Sequence, residues 1–293
     1  METPSFDPAW LERMYNHRAQ VPEYPQYLQR WVAASVRVRQ ALPVVLDTAY
    51  GSDASERLDI FPAAPASAAA PVLVFLHGGG WSGGDKSDYA FVAAPFVQAG
   101  FCVVLVNYGL CPGTVGHGVT IAQIARQVEA ALAWVWRHIG AHGGDCSRIT
   151  AVGHGAGGHL AALLLTSAWP LMGAGDLPET LVRNALSISG LHDLTPLMHT
   201  PFLQAVLQLT DDQVERFSPA LLSAPTEGIL HAVVGGEESE EYQRQCRLIE
   251  ARWHSHAVPR CQVLPGLNHY AMLDALAQPG HDLHHMAQNL LRL

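Results

Sequence analysis

Hydrophobic and polar positions change their pattern partway along the 293-residue chain, at about residue 71. Before that point Trp10, Leu11, Met14 and Tyr15, then Tyr27, Leu28, Trp31 and Val32, recur at helical spacing between Pro8 and Gln40, with Pro22 and Pro25 as breaks. This predicts an amphipathic N-terminal helical segment over 7–40, packed over a pocket mouth or a sheet. Pro43–Ala49 and Glu56–Pro62 alternate apolar and polar residues about Gly51-Ser52-Asp53, which is a hairpin signal. The Ala- and Pro-rich stretch 62–71 reads as a surface connector.

After residue 71 continuous apolar runs replace alternation: Val72–Leu76, Phe101–Val106, a run ending at Gly153, Ala185–Ser189, Ile229–Val234 and Cys261–Leu264. Such runs predict strands covered on both faces. Helical patterning separates them at 87–98, 120–139, 156–166, 239–256 and 282–291. The regular exchange of strand and helix predicts an α/β fold, with a mostly parallel central sheet and helices on both faces. Leu191 to Pro225 interrupts the exchange and predicts short helices. Residues 1–293 are therefore read as a single domain, with 7–40 and 191–225 contributing to a small helical cap.

Composition narrows the function classes. At 49% hydrophobic and 15% charged residues the chain can bury a large core. A formal net charge of −9 argues against a nucleic-acid partner. No run approaches the roughly 20 apolar residues of a membrane span, so no membrane partner is expected. Met1–Asp7 lacks the basic and then apolar pattern of a signal peptide. The five cysteines, Cys102, Cys111, Cys146, Cys246 and Cys261, are odd in number and scattered, as expected of reduced thiols in a cytoplasm.

Ligands in open parallel sheets bind past the carboxyl ends of the strands, so the residues there are the candidates for chemistry. The run ending at Gly153 continues as Gly153-His154-Gly155-Ala156-Gly157, the glycine framework of a G-x-S-x-G nucleophile elbow with glycine at the nucleophile position. Gly153, Gly155 and Gly158 also spell G-x-G-x-x-G, but no strand-end acid follows about 20 residues later. Val72–Leu76 leads into His77-Gly78-Gly79-Gly80-Trp81, an H-G-G-G loop whose Gly78 and Gly79 N–H groups would hold an oxyanion together with that of Ala156. Past Ile229–Val234 a carboxylate is expected, and Glu238 is preferred to Glu237 because it directly precedes the helix-capping Ser239. Glu240 and Glu241 suit a helix N-terminus. Past Cys261–Leu264 stands His269, the candidate base. The order elbow, acid, histidine is that of a hydrolytic triad on this kind of sheet. His154 and His192 are candidates for the pocket wall, with plain packing as the alternative. His254 and His256 are expected exposed. His281, His284 and His285 are spaced to share a metal but are read as a solvated helix face, and no metal is expected.

Further motifs are Tyr15-Asn-His-Arg18, Arg57-Leu-Asp-Ile-Phe-Pro62, Val106-Asn-Tyr108, Ala156-Gly-Gly-His159, Ser189-Gly-Leu191 with Asp193, Glu241-Tyr242, and Asn268-His269-Tyr270. With these the chain resembles the kynurenine formamidases (arylformamidases) of the α/β-hydrolase fold, near the hormone-sensitive-lipase type esterases. The resemblance implies cleavage of an N-formyl aryl amide, such as N-formylkynurenine, or of a small acyl ester. It implies no cofactor, a small-molecule acyl or formyl aryl substrate as partner, and leaves a homodimer open. A serine would attack the acyl carbon, His269 would take its proton and Glu238 would orient the imidazole. His77, Trp81 and Tyr270 join His154 and His192 as candidate substrate-binding residues.

Two departures stand out. The family's serine is Gly155, and an acid usual after the Tyr108 position is Gly109. Loss of the serine from a triad costs about 10⁶ in kcat. Three readings follow: a serine hydrolase in which Gly155 is a sporadic or introduced change; a native serine-less relative using His269 for water-mediated or lyase chemistry; or a non-catalytic ligand-binding protein.

Overall fold

The computed structural model describes residues 6–64, 69–114, 117–173 and 175–293. Residues 65–68 of the predicted connector lie outside the described residues. The strands are β1 (Val45–Ala49), β2 (Arg57–Phe61), β3 (Ala70–Leu76), β4 (Cys102–Val106), β5 (Gly113–Thr114), β6 (His117–Gly118), β7 (Gly144–His154), β8 (Asn184–Ile188), β9 (Ile229–Gly235) and β10 (Arg260–Leu264). The helices are α1 (Pro8–Tyr15), α2 (His17–Gln20), α3 (Tyr24–Ala41), α4 (Ala93–Gln98), α5 (Ile121–His138) and α6 (Ala156–Leu164), followed by α7 (Thr195–Met198), α8 (Pro201–Leu207), α9 (Asp211–Phe217), α10 (Glu240–Ala257), α11 (Ala271–Ala277) and α12 (Asp282–Arg292).

Among the described residues eight strands form the main sheet, in the order β1-β2-β4-β3-β7-β8-β9-β10. β1, β2 and β4 pair antiparallel, and all pairs from β4 to β10 are parallel. Successive strand residues face opposite sides. Val72, Val74 and Leu76 accordingly enter one apolar layer, with α5, α6 and α10, while Leu73 and Phe75 enter the other, with α4, α11 and α12. That two-sided burial is why the strands read as unbroken apolar runs. The helix α5 starts where Thr120 and Gln123 form a reciprocal capping box, and it buries Ile121, Ile124, Val128, Leu132 and Val135.

Several elements differ from the sequence expectation. The 7–40 segment is three helices, because the Asn16 side chain leaves α1 and accepts from the Ala19 N–H to cap α2. The first half of the 87–98 helix is a 3₁₀ stretch, Lys86–Val92. α11 had no counterpart in the pattern. His284 is a correction: instead of facing solvent it is buried, with Nδ1 2.8 Å from the Leu276 carbonyl and its ring packed on Phe96. Residues 7–40 and 191–225 meet where α1 packs on α8, and Phe6, just before that segment, stacks on His199. Among the described residues no helix is long and apolar enough to cross a membrane.

Candidate active site

β7 carries the chain to His154, and α6 begins two residues later, so Gly155 must reverse the backbone alone. It does so at φ 55° and ψ −115°, a conformation costly for any residue with a Cβ. The turn is also closely packed: a Cβ on Gly157 would strike the backbone carbonyl of Leu76 at the end of β3. A Cβ on Gly155, in contrast, would meet only ordinary contacts, 3.5 Å from His269 Nε2, 3.6 Å from His269 Cε1 and 4.0 Å from Gly78 Cα. Segments near residues 78, 155 and 269 thus converge on the place a side chain at 155 would occupy.

The imidazole is held from behind. Glu238 Oε2 lies 2.7 Å from His269 Nδ1, and Glu238 Oε1 accepts the Ser189 hydroxyl at 2.5 Å and the Gly235 N–H at 2.7 Å. The turn after β9 folds Glu238 back onto its own strand end, through its N–H to the Gly235 carbonyl, while Glu237 stays exposed. This geometry distinguishes the two acids that competed in the sequence. Burial, foremost, raises Glu238 above the usual carboxylate range, against the pull of His17, the Ser189 hydroxyl, the Gly235 N–H and His154. Burial also lowers His269 to about 3. The ring is therefore neutral at neutral pH. With Nδ1–H donating to Glu238, its Nε2 lone pair faces position 155, which is the tautomer a general base requires.

Two more imidazoles enclose this one. His154 sends Nε2 to the His269 carbonyl at 2.9 Å, and burial lowers it to about 3. His17, from α2, stacks on His269, and the Tyr242 ring meets both edge-on. His17 was not among the sequence candidates. Its only signal was its place in the Tyr15-Asn-His-Arg18 motif, and that motif says nothing of where α2 docks. Ligand atoms of His17, Glu238 and His269 lie within 4.8 Å of one another. The parallel rings aim their in-plane lone pairs side by side rather than at one point, and Glu238 already holds His269 Nδ1, so the donor set does not fit a chelated metal.

Among the described residues the N–H groups of Gly78, Gly79 and Ala156 donate to no acceptor. The loop that presents the first two is braced. The His77 ring is enclosed between Tyr108, at 4.4 Å, and Tyr89, at 5.6 Å, and the Tyr108 hydroxyl donates to the His77 carbonyl at 2.6 Å. His77 is thus a support behind the loop, not the substrate contact expected of it. Trp81 is buried edge-on against His159. His192 is buried with Nε2 3.4 Å from the Ser187 hydroxyl, and burial lowers it to about 3. Tyr270 is half-buried, edge-on to His269 and stacked on Tyr24 and Tyr27. Gly109 donates its N–H to Gln127 at 2.7 Å, which leaves little room for the family's acid. Nearby, a cavity of about 480 Å³ is lined by Phe6, Trp10, Asp193, Pro196, Glu241 and Arg244. Tyr15 joins it to the histidine layer, with its hydroxyl on Glu241 at 2.5 Å and its ring against Tyr242.

A mostly parallel sheet with this strand order, an elbow after a central strand and an acid–imidazole pair past later strands define an α/β-hydrolase. The BD-FAE family profile matches residues 58–196. The chain is 27% identical over 269 residues to the kynurenine formamidase of Salmo salar, covering 88% of this chain and 84% of that one. With the kynurenine formamidase of Danio rerio it shares 30% identity over 184 residues, 63% of this chain and 58% of that one. A solved Silicibacter sp. TM1040 protein, described as a candidate thioesterase, superposes with a TM-score of 0.81 at 26% identity, covering 97% of this chain and 99% of that one. These likenesses support, within that class, a hydrolase framework of the arylformamidase and esterase type.

Proposed function

We propose that the site is built to cleave an N-formyl aryl amide or a small acyl ester through a nucleophile at position 155, and that in this chain the covalent route is closed. The observation that carries this is the 3.5 Å from a Cβ at Gly155 to His269 Nε2, which would place a serine hydroxyl in hydrogen-bond reach of the base. With a serine there, its oxygen would attack the acyl carbon while Nε2 took its proton. Glu238 would stabilise the imidazolium, and the N–H groups of Gly78, Gly79 and Ala156 would receive the oxyanion. The imidazolium would return the proton to the leaving amine or alcohol, and water would then release formate or the acid. No cofactor enters the scheme. The substrate class follows the formamidase and esterase relatives.

A second reading is favoured by the same geometry. His269 Nε2 lies 3.5 Å and Gly78 Cα 4.0 Å from the Cβ position of residue 155, so water activated by His269 could attack an acyl carbon bound there directly.

The test is Gly155→Ser, assayed with an aryl formamide and with p-nitrophenyl acetate. A rise of about 10⁴-fold or more supports the first reading. A fall from a measurable parental rate, with loss of that rate in His269→Ala, supports the second. A serine variant that stays folded and no faster than an inert parent sinks both.

A further inference from the structure

Cys246 and Cys261 lie 15 residues apart in sequence, on α10 and β10, and their sulfurs are 3.4 Å from each other. Both are free thiols. Among the described residues no other two cysteine sulfurs are in contact. Cys246 points from the helix into the core and is buried, whereas Cys261, on the edge strand, is half-buried. A disulfide bond is about 2.05 Å long, so the sulfurs need to close by only about 1.4 Å. The helix and strand are already packed together, and the motion is within reach of side-chain rotation.

We propose that Cys246 and Cys261 form a dithiol site that a hydroperoxide oxidises to an intramolecular disulfide. Their unequal surroundings set the order of events. Cys261 is the one an oxidant can reach. Its contact with Cys246 lowers its thiol below the ordinary range, with help from Arg247 and against burial and Glu250, while the same contact and burial push Cys246 up. The Cys261 thiolate attacks one peroxide oxygen, the O–O bond breaks, and hydroxide leaves and takes up the thiol proton as water. The Cys246 sulfur then attacks the resulting sulfenic sulfur. The S–S bond forms, the S–O bond breaks and a second water departs with the Cys246 proton. Two thiols lose two electrons and two protons, and one hydrogen peroxide becomes two waters.

The position of the bond matters to the rest of the molecule. α10 follows directly from the Glu238 turn, and β10 leads into the loop that carries His269. The disulfide would therefore tie the acid's helix to the base's strand. The site is independent of whether residue 155 is serine or glycine.

The experiment uses the full chain treated with stoichiometric hydrogen peroxide, then denatured for a thiol count and mapped by mass spectrometry. The count should fall from five by two thiols, with one peptide pair joining Cys246 to Cys261, reversal by dithiothreitol, and a midpoint of thermal unfolding on the order of 5 °C higher. In Cys246→Ser, Cys261 should stop at a sulfenic acid that dimedone traps. Retention of all thiols, a stable sulfenic acid at Cys261 in the parent, or a bond between two chains would overturn the proposal.

Discussion

The imidazole of His17 lies flat on that of His269, with ring centroids 3.6 Å apart and planes 4° from parallel. Neither ring nitrogen of His17 has a hydrogen-bond partner among the described residues, and burial, foremost, keeps the ring neutral. Its contribution is therefore the flat face, which holds the plane of His269 so that Nε2 addresses residue 155. In a Gly155→Ser background, His17→Ala should lower kcat/KM about tenfold, the usual scale for losing a positioning contact. His17→Phe should keep most of the rate. It should also not lower stability, since it replaces two unsatisfied buried nitrogens. Steady-state kinetics with thermal unfolding reads both, and equal losses in the two variants would count against a stacking role.

Gly155 adopts φ 55° and ψ −115°. A serine there is strained by roughly 1–3 kcal/mol. Gly155→Ser should accordingly gain turnover and lose stability together, by a few degrees in the unfolding midpoint. Calorimetry on the same preparations used for kinetics checks the coupling.

Ser189 donates its hydroxyl to Glu238 at 2.5 Å within the core. Ser189→Ala removes one of three donors to that carboxyl group. It should destabilise by about 1–3 kcal/mol and, in the Gly155→Ser background, slow turnover. Denaturant titration with a rate assay is the measurement, and an unchanged rate would show that the Gly235 N–H and His269 suffice.

Burial lowers His154, His192 and His269 to about 3, and His159 and His231 to about 4. Above the unfolded value, near 6.5, both states are neutral and these groups do not affect stability. As pH falls through 6.5 towards 4 the unfolded chain takes up protons that the folded chain refuses, so stability drops. Glu238, Glu129 and Asp88, raised by burial, work in the opposite direction, but they are three groups against these five histidines and His17, His77 and His284, which burial lowers as well. The unfolding midpoint should be flat above about pH 7 and fall steeply between pH 6.5 and 4. A flat profile across that range would contradict the neutral buried histidines.

Gly157 has no space for a side chain, because the Leu76 carbonyl oxygen stands where its Cβ would be. Gly157→Ala must push α6 away from β3, and a loss of about 3 kcal/mol or more is expected, since backbone cannot yield as a side chain does. Urea unfolding and soluble yield measure it.

Val72–Leu76 announced a strand covered on both faces, and the glycines at 78, 79, 153, 155 and 157 announced two tight approaches of backbone. The sequential order of elbow, acid and histidine also stood in the chain. His284 was misread because helical spacing gives a face but not what covers it. His17 was missed because its partner lies 252 residues away (269 − 17), and no local pattern reports such a contact.

The sequence by itself determined the alternation of strand and helix, the glycine-lined turns and the chemical types available past each strand, because these depend on neighbours a few residues apart. Only the tertiary structure decided that Glu238 rather than Glu237 faces His269, that His77 braces its loop from behind, and that His17 stacks on His269. Those outcomes depend on how whole elements dock, and docking is set by packing between surfaces that are distant in the chain.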